Sequence, residues 1–94
     1  MTIPEALEEL NHPSSPRFSR LLTICETIFG APRIAGSHHV FKTPWAGDPR
    51  INLQPSKGDA KPYQVRQVIR ALERLQSIQT ESSEDTKNDD DQNE

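Results

Sequence analysis

Little in this chain can hold a covalent or metal-based scaffold. It has 94 residues and one cysteine, Cys25, so no internal disulfide can form. Cys25 falls on the apolar face of a helical pattern, where a buried thiol in a reducing compartment is the default reading. No CxxC, HExxH or glycine-rich phosphate loop occurs, and glycines number only four. The histidines do not make a ligand set. A regular strand turns the neighbours His38 and His39 to opposite faces, and His12 lies in a distant linker. No metal and no small-molecule cofactor is expected. No apolar run approaches the roughly 18 residues of a membrane span, and no basic-then-apolar leader opens the chain. A cytoplasmic location without membrane contact follows by default.

The charge is unevenly placed. The formal net charge is −3. Residues 80–94 hold seven carboxylates against Lys87, a net of −6. Residues 10–79 hold ten lysines and arginines against Glu26, Asp48, Asp59 and Glu73, a net of +6. A basic core between acidic ends points to a polyanionic partner, although lysine and arginine also simply keep a surface soluble.

The elements are legible from periodicity. Thr2, Pro4 and Glu5 open a short helix as cap, first-turn proline and dipole partner. Alone it is marginal, so it packs on the domain or frays. Residues 11–16 read as a linker, with Ser15 capping a second helix and Pro16 opening it. Phe18, Leu21, Leu22, Cys25, Ile28 and Phe29 form that helix's apolar stripe, which Gly30 and Pro32 end. Three short strands are expected, at residues 33–35, 38–42 and 51–54, with a hairpin loop at 43–50. After a polar loop, Pro62 starts a third helix with Val65, Val68, Ile69, Leu72 and Leu75 on its apolar side. Arg66, Arg70 and Arg74 form a separate row on it. Residues 80–94 are acidic, free of aromatics and expected to be disordered. The fold class is therefore α+β. Residues 1–12 are a helical extension, residues 13–79 the domain, and residues 80–94 a tail. Both flanking helices can pack on one sheet face and leave the other open.

Two segments carry possible chemistry. In Gly36-Ser37-His38-His39 a tight turn leads into a strand bearing two imidazoles, the side chain best suited to proton transfer near neutral pH. Cleaving RNA needs such a group to move the 2′-hydroxyl proton, and cations to stabilise the charge that builds on phosphorus. Lys42, Lys57, Lys61 and Arg66 are candidate cations. On its own, a strand histidine is more often structural. In the second segment Lys61 precedes a helix N-terminus, where phosphate is favoured. Asn52 and Gln54 share one strand face and either hydrogen-bond ribose or base edges or face water. Tyr63 and Trp45 either stack on bases or pack.

Taken together, Gly36-Ser37-His38-His39-Val40-Phe41, Asn52-Leu53-Gln54-Pro55 and residues 58–68 resemble the HicA toxin family, in an order and spacing that run from about Pro16 to Leu75. The resemblance implies a double-stranded-RNA-binding-domain-like α-β-β-β-α core. It implies an mRNA-cleaving endoribonuclease, the toxin of a toxin–antitoxin pair, silenced by a HicB-like antitoxin. It assigns the catalytic position to His39 and gives no role to His38. RNA contacts are expected at Lys42, Asn52, Gln54, Lys57, Lys61, Arg66 and Arg70. Chain features outside the pattern are the N-terminal helix, the acidic tail and a stunted first strand beside Pro32. The rival readings are an RNA-binding module without catalysis and a protein-interaction adaptor of the same fold.

Overall fold

The chain begins with a helix closed on its own ends. Thr2 Oγ1 accepts from the Glu5 N–H and the Glu5 carboxylate accepts from the Thr2 N–H, a reciprocal capping box. The computed structural model describes the backbone of residues 1–92 and the side chains of residues 1–80. Helix α1 spans Ile3–Leu10, α2 Phe18–Phe29 and α3 Pro62–Gln92, with strands β1 Arg33–Ala35, β2 His38–Phe41 and β3 Ile51–Leu53 between α2 and α3. The sheet is antiparallel in the order β1-β2-β3. The α+β class and all six elements agree with the sequence reading.

One core serves all of them. Ile3, Ala6 and Leu10 of α1 are buried with Leu21, Ile24 and Cys25 of α2, Phe41, Ile51 and Leu53 of the sheet, and Val65, Val68, Ala71 and Leu72 of α3. The first helix packs against α3, the first of the two outcomes that its marginal length left open. A bidentate ion pair from Arg20 to Glu9, at 2.6 and 2.8 Å, ties α1 to α2. Burial pushes the Cys25 thiol up to about 12, with Glu26 adding to the effect, so the sulfur stays protonated as a core atom. Among the described residues no helix is long and apolar enough to cross a membrane.

Three details depart from expectation. The second helix does not start at Pro16 under a Ser15 cap; Arg17 is its N-cap and no side chain caps it. Residues 16–18 instead pair with the loop before α3. The Pro16 carbonyl accepts from the Ala60 N–H (2.8 Å), and the Phe18 N–H donates to the Gly58 carbonyl (2.9 Å). Those tertiary bonds use the groups that a first helical turn would have needed. The strands are also shorter by a residue, ending at Phe41 and Leu53, because Pro44 and Pro55 lie just beyond and remove ladder donors. Finally, the backbone of α3 remains helical to Gln92, where the sequence reading ended the helix near Gln79 and expected a disordered tail. No glycine or proline follows Pro62 to break it.

Candidate nucleic-acid interface

Strand alternation separates the two histidines. In the β2 register His39 lies opposite Leu53 and Ile34, and Phe41 opposite Ile51. These residues belong to the face that meets the helices. The His39 ring stands edge-on to Phe18, with centroids 6.4 Å apart at 70°, and its Nδ1 is enclosed without a hydrogen-bond partner. With Nδ1 enclosed, Nε2 is the nitrogen left to meet a reactant. His38 belongs to the other face. Its Nδ1 lies 2.9 Å from Asn52 Oδ1. A carbonyl-type oxygen only accepts, so that contact puts the proton on Nδ1 and leaves Nε2 of the neutral ring as an acceptor. One phosphodiester cannot touch both rings.

Basic residues lie on the loop bonded to the ring neighbour of His39. Phe18, its ring neighbour, is bonded through its N–H to Gly58, and Arg17 forms a β-bridge with Asp59. Gly58 has φ +69°, the left-handed region that glycine occupies without strain. Its turn sets the exposed Lys57 on the loop stitched to Phe18, with the exposed Lys61 at the end of the same loop. The Lys61 N–H donates to Gln64 Oε1 (3.2 Å). Arg17, also exposed, joins this rim. Sequence reasoning placed it inside a helix, and only the pairing of residues 16–18 with the loop reveals it.

The second basic region lies along α3. Strand β3 is one edge of the sheet, and two glutamines one helical turn apart cover it. Gln67 Oε1 accepts from the Asn52 N–H, and Gln64 Nε2 donates to the Gln54 carbonyl at 2.7 Å. Gln64 is 1% exposed. Sequence reasoning missed both roles, because a glutamine in a helical pattern reads as solvent-facing. Gln67 also lines an open groove of about 990 Å³ with Tyr63, Arg66 and Arg70, opposite the turn at 48–50 that carries Asp48 and Arg50. Glu73 and Arg74 line it further along α3. Trp45 holds that turn in place: its Nε1–H donates to the Pro49 carbonyl (2.9 Å) and its ring packs edge-on to Phe29. Trp45 is therefore a packing residue, whereas Tyr63 is 51% exposed and does not pack on the sheet.

The expected site residues thus fall into two groups. Lys57 and Lys61 share the rim loop bonded to Phe18, whose ring meets His39. Arg66 and Arg70 line the groove, and Asn52 connects to it through Gln67 while holding His38. The Gln54 side chain is exposed and only its carbonyl is engaged. Lys42 is exposed one residue past β2, roughly 10 Å along the strand from His39, and so belongs to the end with the 43–50 loop. Among the described residues the one ion pair is Glu9–Arg20, so no described carboxylate pairs with the cations of either group. No known family model, curated protein or solved structure matches this chain.

Proposed function

We propose that this chain is a histidine-dependent endoribonuclease of the toxin type that HicA represents, acting on mRNA in the cytoplasm and held inactive by a HicB-like antitoxin. The observation that carries the reading is the rim: an imidazole at the start of β2, with Lys57 and Lys61 on the loop bonded to its ring neighbour Phe18. The α-β-β-β-α order after α1 also suits the double-stranded-RNA-binding-domain-like core that the sequence resemblance implies.

In this reading His39 Nε2 takes the proton of a 2′-hydroxyl. The freed oxygen bonds to the adjacent phosphorus, the bond from phosphorus to the 5′-oxygen breaks, and that oxygen leaves with a proton from an acid or from water. The products are a 2′,3′-cyclic phosphate and a 5′-hydroxyl. Lys57 and Lys61 stabilise the negative charge of the transition state. The scheme asks for no cofactor. A second reading, RNA binding without cleavage, is favoured by the enclosed Nδ1 of His39, since a general base gains from a partner that orients it.

Growth after induced expression, with mRNA decay followed in parallel, separates the two. Wild type should arrest growth and degrade mRNA, and His39→Ala should do neither while remaining folded. If His39→Ala is as toxic as wild type and His38→Ala is inert, the proton-transfer group is on the open face. If wild type leaves mRNA intact, the cleavage reading is wrong.

A further inference from the structure

Tyr63, Arg66, Gln67, Arg70, Glu73 and Arg74 fall at i, i+3, i+4, i+7, i+10 and i+11 along α3 and line one groove. The core takes the other side of the same helix, through Val65, Val68, Ala71 and Leu72. The grooved side is therefore a second face with its own composition. Four arginines (Arg50, Arg66, Arg70 and Arg74) stand there against two carboxylates (Asp48 and Glu73). Like charges four residues apart oppose helix formation, so the Arg66–Arg70–Arg74 row costs stability in the free protein. A polyanion lying along it reverses that cost.

Which polyanion fits is decided by Tyr63. Among the described residues it is one of three large apolar side chains left exposed, with Met1 and Ile34, and of these three it alone lines the groove. An exposed phenol ring among guanidinium groups suits a ligand that alternates flat rings with negative charge. In a single nucleic-acid strand the bases are free to stack on an aromatic side chain while phosphates follow the cations. A duplex hides its base faces and offers only phosphates and groove edges. Successive arginines of the row are spaced about 6 Å apart along the helix axis, close to the step between phosphates of an extended strand. The groove's volume, about 990 Å³, is at the top of the roughly 300–1,000 Å³ range of small-ligand pockets. Because it is also an open groove and not an enclosed cavity, it suits a length of strand better than one nucleotide.

We propose that the groove between α3 and the 48–50 turn binds single-stranded RNA, with Tyr63 stacking on a base and Arg50, Arg66 and Arg70 contacting phosphates. The choice of RNA over DNA rests on the cleavage reading above; the single-stranded preference and the role of Tyr63 do not. The groove defines the substrate as an unpaired segment and holds it independently of the histidine rim.

The test uses the full chain and a fluorescein-labelled RNA of mixed sequence, 2′-O-methylated throughout so that the 2′-oxygen cannot attack. Binding is read by anisotropy across a salt series, and the same strand annealed to its complement is the duplex probe. Wild type should bind the single strand more tightly than the duplex. Tyr63→Ala should weaken single-strand binding about tenfold, and Tyr63→Phe should keep it. Arg70→Gln should lower the salt dependence as one phosphate contact is lost. Since Tyr63 is half exposed, urea midpoints should confirm that Tyr63→Ala folds as wild type does. The proposal is overturned if Tyr63→Ala binds like wild type, if duplex binds as well as single strand, or if only an acidic peptide such as poly-glutamate binds. Cleavage of the unmodified strand is followed in parallel. Cleavage with no Tyr63-dependent binding would sink the groove and leave the nuclease reading standing. Tyr63-dependent binding with no cleavage would do the reverse.

Discussion

Replacing Gln64 should cost more than any other substitution of a polar side chain in the described domain. The side chain is 1% exposed and makes two bonds, donating to the Gln54 carbonyl (2.7 Å) and accepting from the Lys61 N–H (3.2 Å). Gln64→Ala removes both, at about 0.5–1.5 kcal/mol each. It also removes one buried methylene beyond Cβ, about 0.8 kcal/mol. The sum is about 2–4 kcal/mol, a large share of the roughly 5–10 kcal/mol expected of a domain this size. With a urea slope of about 1–1.5 kcal/mol per M, the unfolding midpoint should fall by about 2 M. Gln64→Glu keeps the shape but loses the donor when ionised, so it should regain stability relative to wild type as the pH drops from 7 to 4 and the carboxyl protonates. Gln67→Ala is the control: its one bond, to the Asn52 N–H, lies at the exposed edge and should be worth less than about 1 kcal/mol. A Gln64→Ala midpoint within about 0.5 kcal/mol of wild type, the range of ordinary surface changes, would refute the claim that these glutamines close the sheet edge.

Two further outcomes follow from the helices. The bond from Arg20, followed by its charge, holds the Glu9 carboxyl below its ordinary value. A lowered carboxylate adds stability above the unfolded-state value of 4.5 and loses it as pH falls through the folded value. The urea midpoint of Glu9→Gln should therefore lie below wild type at pH 7, and the gap should close as the pH falls through the lowered Glu9 value. High salt should narrow it too, because both side chains are substantially exposed. Cys25, raised from 9.0 to about 12, holds about a thousandfold less thiolate than an ordinary cysteine at any pH below 9. In native buffer a disulfide reagent should label it only at the rate at which the core opens, and at once in urea. Prompt native labelling would contradict its burial.

Every element of the fold was legible in the sequence, because each carries its own local signal. Thr2 and Glu5 cap α1, a 3.6-residue stripe marks α2 and α3, and Ile51-Asn52-Leu53 alternates. What could not be read is where tertiary bonds override a local signal. Ser15-Pro16 is a sound helix start on local grounds, yet Pro16 and Phe18 use their backbone groups on the loop at 58–60, and the helix begins two residues later than Pro16. Ile24 is completely buried although it fell outside the stripe read from spacing, since the shared core takes a wider arc of α2 than that stripe. The site was legible in its residue types and less so in its grouping. Lys57 and Lys61 lie within reach of one another in sequence, but nothing in the sequence ties them to Phe18 and His39.

The adjacency of His38 and His39 has a consequence for the whole surface. Strand geometry turns one ring to the rim beside Lys57 and Lys61 and the other to the open face, where Asn52 holds it. Asn52 is bonded through its N–H to Gln67, and Gln67 lines the arginine groove. The open-face histidine therefore belongs structurally with the groove, and the inner histidine with the rim. The two regions adjoin at the start of α3, where Lys61 of the rim loop stands two residues before Tyr63 of the groove. In the proposed reading, one short strand of RNA would therefore cross from Lys61 to Tyr63 over the first turn of α3.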